Sequence, residues 1–139
     1  MENGLMIKNN ENFITEEQKK VFSSKNLKTI EDKKELFNAL EQCDLLINDC
    51  VNETIDIKDI YCEEYDTTDE KTGEVKPKYR TIIFDKNGKT YATGSYGIYN
   101  SIKKIIMIYG LPTYEEEVKV KITKKKTKNG NSSLSLILL

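Results

Sequence analysis

Cationic and aromatic side chains interleave in two short stretches of this chain. Lys76-Pro77-Lys78-Tyr79-Arg80 brings three positive charges and one ring into five residues, and Lys89-Thr90-Tyr91 follows an Asn87-Gly88 pair. A third cationic run, Lys124, Lys125, Lys126 and Lys128, precedes Asn129-Gly130, with Lys119 and Lys121 leading into it. Ammonium and guanidinium groups neutralise a phosphate backbone, while rings offer unpaired bases a surface to stack on. The chain has 8 Tyr and no Trp, and tyrosine can stack while its hydroxyl stays hydrated. The expected contacts are Tyr61, Tyr79 and Tyr91 for bases, with Tyr65 a further stacking candidate. Lys76, Lys78, Arg80, Lys89, Lys119, Lys121, Lys124, Lys125, Lys126 and Lys128 are expected on phosphates. A single surface lysine is usually just solvated; only the joint pattern of face, loop and charge points to binding.

Other chemistries have little to work with. The chain contains no histidine, so Cys–His and Ser–His nucleophilic arrangements are impossible and the commonest general base is missing. Cys43, Cys50 and Cys62 show no CxxC spacing, and a structural zinc usually needs four Cys or His ligands. Reduced, mostly buried thiols are the expectation. Glu115-Glu116-Glu117 reads as a solvated entry to a strand rather than a metal site, and no P-loop, GxGxxG or EF-hand spacing occurs. The expected protein is not an enzyme and carries no cofactor or metal.

The 139 residues suffice for one domain with a real core, preceded by an N-terminal appendage. No apolar run approaches the roughly 18–20 residues of a membrane span, and Met1–Ile14 lacks the basic start and apolar core of a secretion signal. A cytosolic location is expected. The net charge of −1 hides a division. Residues 1–75 hold 9 Lys/Arg against 19 Asp/Glu, a balance of −10, and residues 76–139 hold 13 against 4, a balance of +9. A basic surface for a polyanion, with an acidic part packed across it or facing away, would account for both halves.

The elements that must position these groups follow from periodicity. Thr15-Glu16-Glu17-Gln18 spells a capping box, which predicts a short helix to about Val21–Phe22. A firmer helix is predicted from Thr29, with Ile30, Leu36, Phe37 and Leu40 as its apolar stripe, ending near Gln42–Asp44. From Asn52 the period becomes two. Ile55 and Ile57 share one face and Ile60 and Cys62 the other, so a bulge is required near Lys58-Asp59. Asp66–Lys76 is an acidic loop turning at Gly73, and Pro77 marks the next strand's start. That strand, Lys78–Asp85, turns at Asn87-Gly88 into Lys89–Thr93. A helix capped by Ser95 carries Ile98, Ile102, Ile105, Ile106 and Tyr109 and stops at Gly110 and Pro112. Val118, Val120 and Ile122 then alternate with Lys119 and Lys121, and Leu134, Leu136 and Leu138 alternate with Ser133 and Ser135, which makes a final hairpin.

The predicted fold class is mainly β: a five-stranded OB-fold-like barrel with a helix between strands three and four, plus an N-terminal helical extension. The extension covers residues 1–28, loose at its start, and the barrel with its preceding helix covers 29–139. An α+β sandwich with an open sheet satisfies the same pattern. In an OB-fold the ligand crosses strands two and three between two flanking loops, here KKKTKNG and the acidic loop. The acid at Asp66, Asp69, Glu70 and Glu74 should repel phosphate, so that loop is expected to turn away or to meet a protein.

From ETIDIKDIYCEEYD through KYRTIIFDKNGKTYATGSYGIYNSIKKIIMIYGLPTYEEEVKVKI to NSSLSLILL, the chain resembles single-stranded DNA-binding proteins of phages infecting Gram-positive bacteria. The resemblance covers about residues 29–139 and includes the KKELFNAL helix. It rests on an I-x-I-K-D-I-Y first strand, a D-x-N-G-x-x-Y hairpin, an S-x-G-I-Y-x-x-I-K-K helix and G-x-P-T-Y-E-E before the last strands. In this family an aromatic occupies the position of Tyr99, and Trp is common where Tyr114 stands. The resemblance implies an OB-fold and a role in phage DNA replication or recombination within the host cytoplasm. It implies single-stranded DNA as partner, with replication proteins as further partners; oligomeric state stays open. The chain ends on Leu139 without the acidic tail of bacterial cellular homologues, so recruitment through such a tail is not expected. The competing expectation is a protein-interaction module or inhibitor using the acidic N-terminal half. A metal-dependent hydrolase ranks third.

Overall fold

The computed structural model describes residues 19–24, 27–110, 118–126, 128 and 130–139. Its frame is one long strand, β3 (Thr54–Thr68), which pairs along most of its length with β4 (Val75–Asp85). The register slips between Ile57 and Asp59, the bulge that the change of parity requires. The extra residue turns Ile60 and Cys62 onto the face already occupied by Ile55 and Ile57, and all four lie in one core cluster.

The bend also splits β3's second edge between two partners. Thr54–Ile57 pairs with β6 (Val118–Lys126), and Tyr61–Tyr65 pairs with β1 (Lys19–Ser23). Ser24 fills the junction: its hydroxyl accepts from the Ile60 N–H at 2.8 Å and donates to Asp59 Oδ1 at 3.2 Å. The main path of the sheet runs β2 (Leu45–Leu46), β5 (Thr90–Thr93), β4, β3, β6 and β7 (Ser132–Leu138). It curls into a half barrel, with no pairing between β5 and β7 among the described residues.

A helix covers each face. Helix α1 (Ile30–Glu41) starts at Thr29, whose side chain accepts from the Asp32 N–H. It lays Leu36, Ala39 and Leu40 on the outer face, over Tyr61, Ile82, Phe84 and Ala92. Helix α2 (Tyr96–Tyr109), capped by Ser95, sinks Ile98, Tyr99, Ile102 and Ile105 into the inner face. Gly110 at φ 83° ends it, a conformation glycine adopts without penalty.

Several expectations need correction. Among the described residues seven strands replace five, and the inner helix lies between the fifth and sixth of them. The residues expected to finish an N-terminal helix form β1 instead; the capping box itself lies outside the described residues, as do Pro112, Glu115–Glu117 and Asn129. The open edge of β3 beyond its bulge offers backbone partners, and Phe22 packs on the core through Tyr99, so tertiary pairing overrides the local signal. Pro77 lies inside β4, opposite Asp66, rather than at its start. It is tolerated there because β5 reaches only from Thr81 to Phe84, leaving the outer edge of β4 unpaired at Pro77. Phe37 is 62% exposed and Ile30 66%, so only the Leu36 side of the predicted stripe packs.

Candidate nucleic-acid interface

Strand alternation divides Lys76–Arg80 between two faces. Tyr79, Thr81 and Ile83 point to the inner face, where Tyr79 packs against the main core. Arg80 points to the outer face, with Ile82 and Phe84; Lys76 and Lys78 share its parity and are exposed. Arg80 lies 3.8 Å from the buried Glu63 carboxylate, and Lys76 is 3.9 Å from Glu74. Within the acidic loop Asp69 Oδ1 accepts from the N–H groups of Lys71 and Thr72.

Three rings gather at the Tyr79 end of the inner face. The Tyr79 ring centroid is 4.9 Å from that of Tyr96 and 4.8 Å from that of Tyr99, and Phe22 adds a fourth ring 5.9 Å from Tyr99. Tyr99 is buried and donates to Glu64 Oε1 at 3.3 Å, while Lys103 Nζ stands 5.4 Å from its ring centroid. Tyr96 is 56% exposed and Tyr79 half-buried, so the rim of the cluster faces solvent. Desolvation first, then the Glu64 charge, pushes both the Tyr79 and Tyr99 hydroxyls up, Tyr99 to about 12. A phenol whose folded value exceeds its unfolded value near 10 favours folding below pH 10, and that contribution is lost as pH rises through 12. Urea denaturation between pH 9 and 12 should therefore show a stability fall that is shallower in Tyr99→Phe.

Two of the three expected stacking residues are not in this cluster. Tyr61 is 6% exposed beneath α1, its hydroxyl donating to Glu63 Oε2 at 2.6 Å. Tyr91 is also 6% exposed and belongs to the main core. It pairs with Ile83, four residues along β4 from Tyr79 or ~13 Å at the usual strand rise. Register is the reason: β5 ends opposite Thr81, so Lys89–Tyr91 never lies across from Lys76–Arg80. Lys89 sits in the Asp85 turn, donating its N–H to Asp85 Oδ1, at that same far end.

The cationic tip of the last hairpin lies on the tyrosine side. Lys124 pairs with Leu134, and the Leu134 carbonyl abuts Gly97, the residue after Tyr96. Lys124, Lys125, Lys126 and Lys128 are exposed there. Lys119 and Lys121 have opposite parity to the buried Val118, Val120 and Ile122, and Lys119 lies 3.7 Å from Asp56. Tyr96 and Lys104, which are not among the expected contacts, also belong to this end. An aromatic directly after an N-cap and off the apolar stripe was the available signal for Tyr96.

A mainly β chain, curled over a helix and carrying a tyrosine cluster beside a lysine hairpin, is the class that fold and site define. The chain matches the family model described as phage single-stranded DNA-binding protein over residues 15–139, and it belongs to that family. No curated protein and no solved structure gives a significant match.

Proposed function

We propose that the chain binds single-stranded DNA without regard to sequence and without catalysis, in phage DNA replication or recombination. The observation that carries this reading, beside family membership, is the convergence of Tyr79 and Tyr96 with Lys103, Lys104 and the Lys124–Lys128 tip. In this reading the rims of Tyr79 and Tyr96 stack bases. The Lys124–Lys128 tip follows phosphates on one side, and Lys76, Lys78 and Arg80 do so where the strand crosses the β3–β4 arm. Lys89, Lys119 and Lys121 contribute to the general field and not to the stacking site. The functional unit is taken as residues 29–139 together with β1, which the sheet incorporates. Replication proteins are its expected partners, in the host cytoplasm.

Fluorescence anisotropy with poly-dT, poly-U and a duplex of equal length is the test. Poly-dT should bind far more tightly than duplex, with affinity falling steeply as salt rises. Equal weak binding of all three would remove the assignment. The exposed Phe37 and Ile30 on the acidic helix α1 favour one second reading, a protein-docking module. Under that reading poly-dT would leave the protein's electrophoretic migration unchanged.

A further inference from the structure

Between helix α2 and strand β7 lies a cleft of about 530 Å³, within the size range of ligand sites. Tyr96 stands at its edge, and Lys104, Asn48, Asn100, Ser132 and Ser133 are among the side chains around it. Among the described residues, no Asp or Glu lines it. This sets it apart from the neighbouring ring cluster, which has Glu64 hydrogen-bonded to Tyr99. Asn48 Oδ1 accepts from Thr93, which leaves its amide N–H groups to donate. Among the described residues the lining is thus rich in donors, carries the Lys104 charge and contains no carboxylate to oppose an anion. The cleft also lies on the way from Tyr96 to the lysine tip, because its β7 wall includes Leu134, the partner of Lys124.

We propose that this cleft holds a backbone phosphate of the bound strand, the one following the base stacked on Tyr96, with Lys104 as its counter-charge. The inference rests on the single-stranded DNA reading and adds to it a path: rings, then cleft, then lysine tip. The strand turns over the N-terminal end of α2 instead of continuing along the inner face toward Tyr91. Asn100 and the two serines supply hydrogen bonds to phosphate oxygens that are independent of base identity.

The test is the salt dependence of the dissociation constant for a labelled oligo-dT, measured for wild type and three variants. A contact to one phosphate of a single strand contributes about 0.7 to the slope of log K against log salt. Lys104→Ala should lower the magnitude of that slope by about 0.7. Asn100→Asp, which puts a carboxylate in the cleft, should weaken binding by about tenfold at low salt. Lys86→Ala, in the exposed turn between β4 and β5 at the opposite end, should change neither. Wild-type slopes for Lys104→Ala together with an unchanged constant for Asn100→Asp would overturn the cleft while the wild type still binds. A wild type that ignores oligo-dT at low salt would instead bring down the function on which the cleft depends.

Discussion

The double variant Tyr79→Leu, Tyr96→Ala is expected to lose most of its affinity for oligo-dT while staying folded. Base stacking on an aromatic side chain is worth about 1–3 kcal/mol per base. Two platforms together therefore predict a loss of at least about 2 kcal/mol, or roughly 30-fold in dissociation constant. Tyr96 is 56% exposed, so truncating it removes little from the core. Tyr79 is half-buried against Tyr96 and Tyr99, and leucine keeps part of that packing. Tyr91→Phe is the matched control, since Tyr91 is buried in the core at the other end of the inner face. Anisotropy titrations within twofold of wild type for the double variant would exclude these rings as the stacking surface. A large loss in Tyr91→Phe with a normal melting curve would mean that bases reach a site the packing closes.

The second large effect concerns stability. A Cβ on Gly97 would stand 1.9 Å from the Leu134 carbonyl oxygen, far inside any tolerable contact. Neither side can yield cheaply. Helix α2 is held by the buried Ile98, Ile102 and Ile105, and β7 is paired to β6 from Ser132 to Leu138. The Leu136 N–H also donates to Ser101 Oγ, tying the strand to the same helix. Overpacking of a well-packed contact costs about 1–3 kcal/mol and occasionally more, and a clash between backbones belongs at the upper end. Gly97→Ala is expected to cost about 3 kcal/mol, lowering the thermal midpoint by roughly 10 °C. Affinity for oligo-dT should fall too, because Tyr96 and the cleft ride on the same turn of helix. An unchanged midpoint would show that α2 stands farther from β7 than described.

Gly97 gives a physical meaning to the S-x-G-I-Y spelling of that helix. Only a residue without a side chain lets α2 approach the β7 backbone this closely. Helix α2 packs against β7 and β4 on the inner face. It also delivers Tyr96 to the rim.

Local chemistry was enough for much of the frame. The swap of parity around Lys58 demanded a bulge, and the register slips there. Thr29 and Ser95 cap their helices, Gly110 ends the second, and Gly73 and Gly88 take the positive φ their turns require. These features depend on a few neighbouring residues, so they are written in the chain itself. Alternation likewise told which residues share a face, placing Tyr79 with Thr81 and apart from Arg80.

What alternation does not contain is which face a helix will cover, or where a neighbouring strand stops. Tyr61 looked as available as Tyr79 until α1 lay over it, and Tyr91 lost its exposure to the core. The end of β5 opposite Thr81 keeps the cationic stretches Lys76–Arg80 and Lys89–Tyr91 apart along β4. Residues 19–23 became strand because a distant edge, opened by the bulge, had hydrogen bonds to satisfy. Burial, register and edge pairing are all set by contacts between residues far apart in the chain. For that reason only the assembled sheet shows that Tyr96, unlike Tyr61 and Tyr91, is left open to solvent.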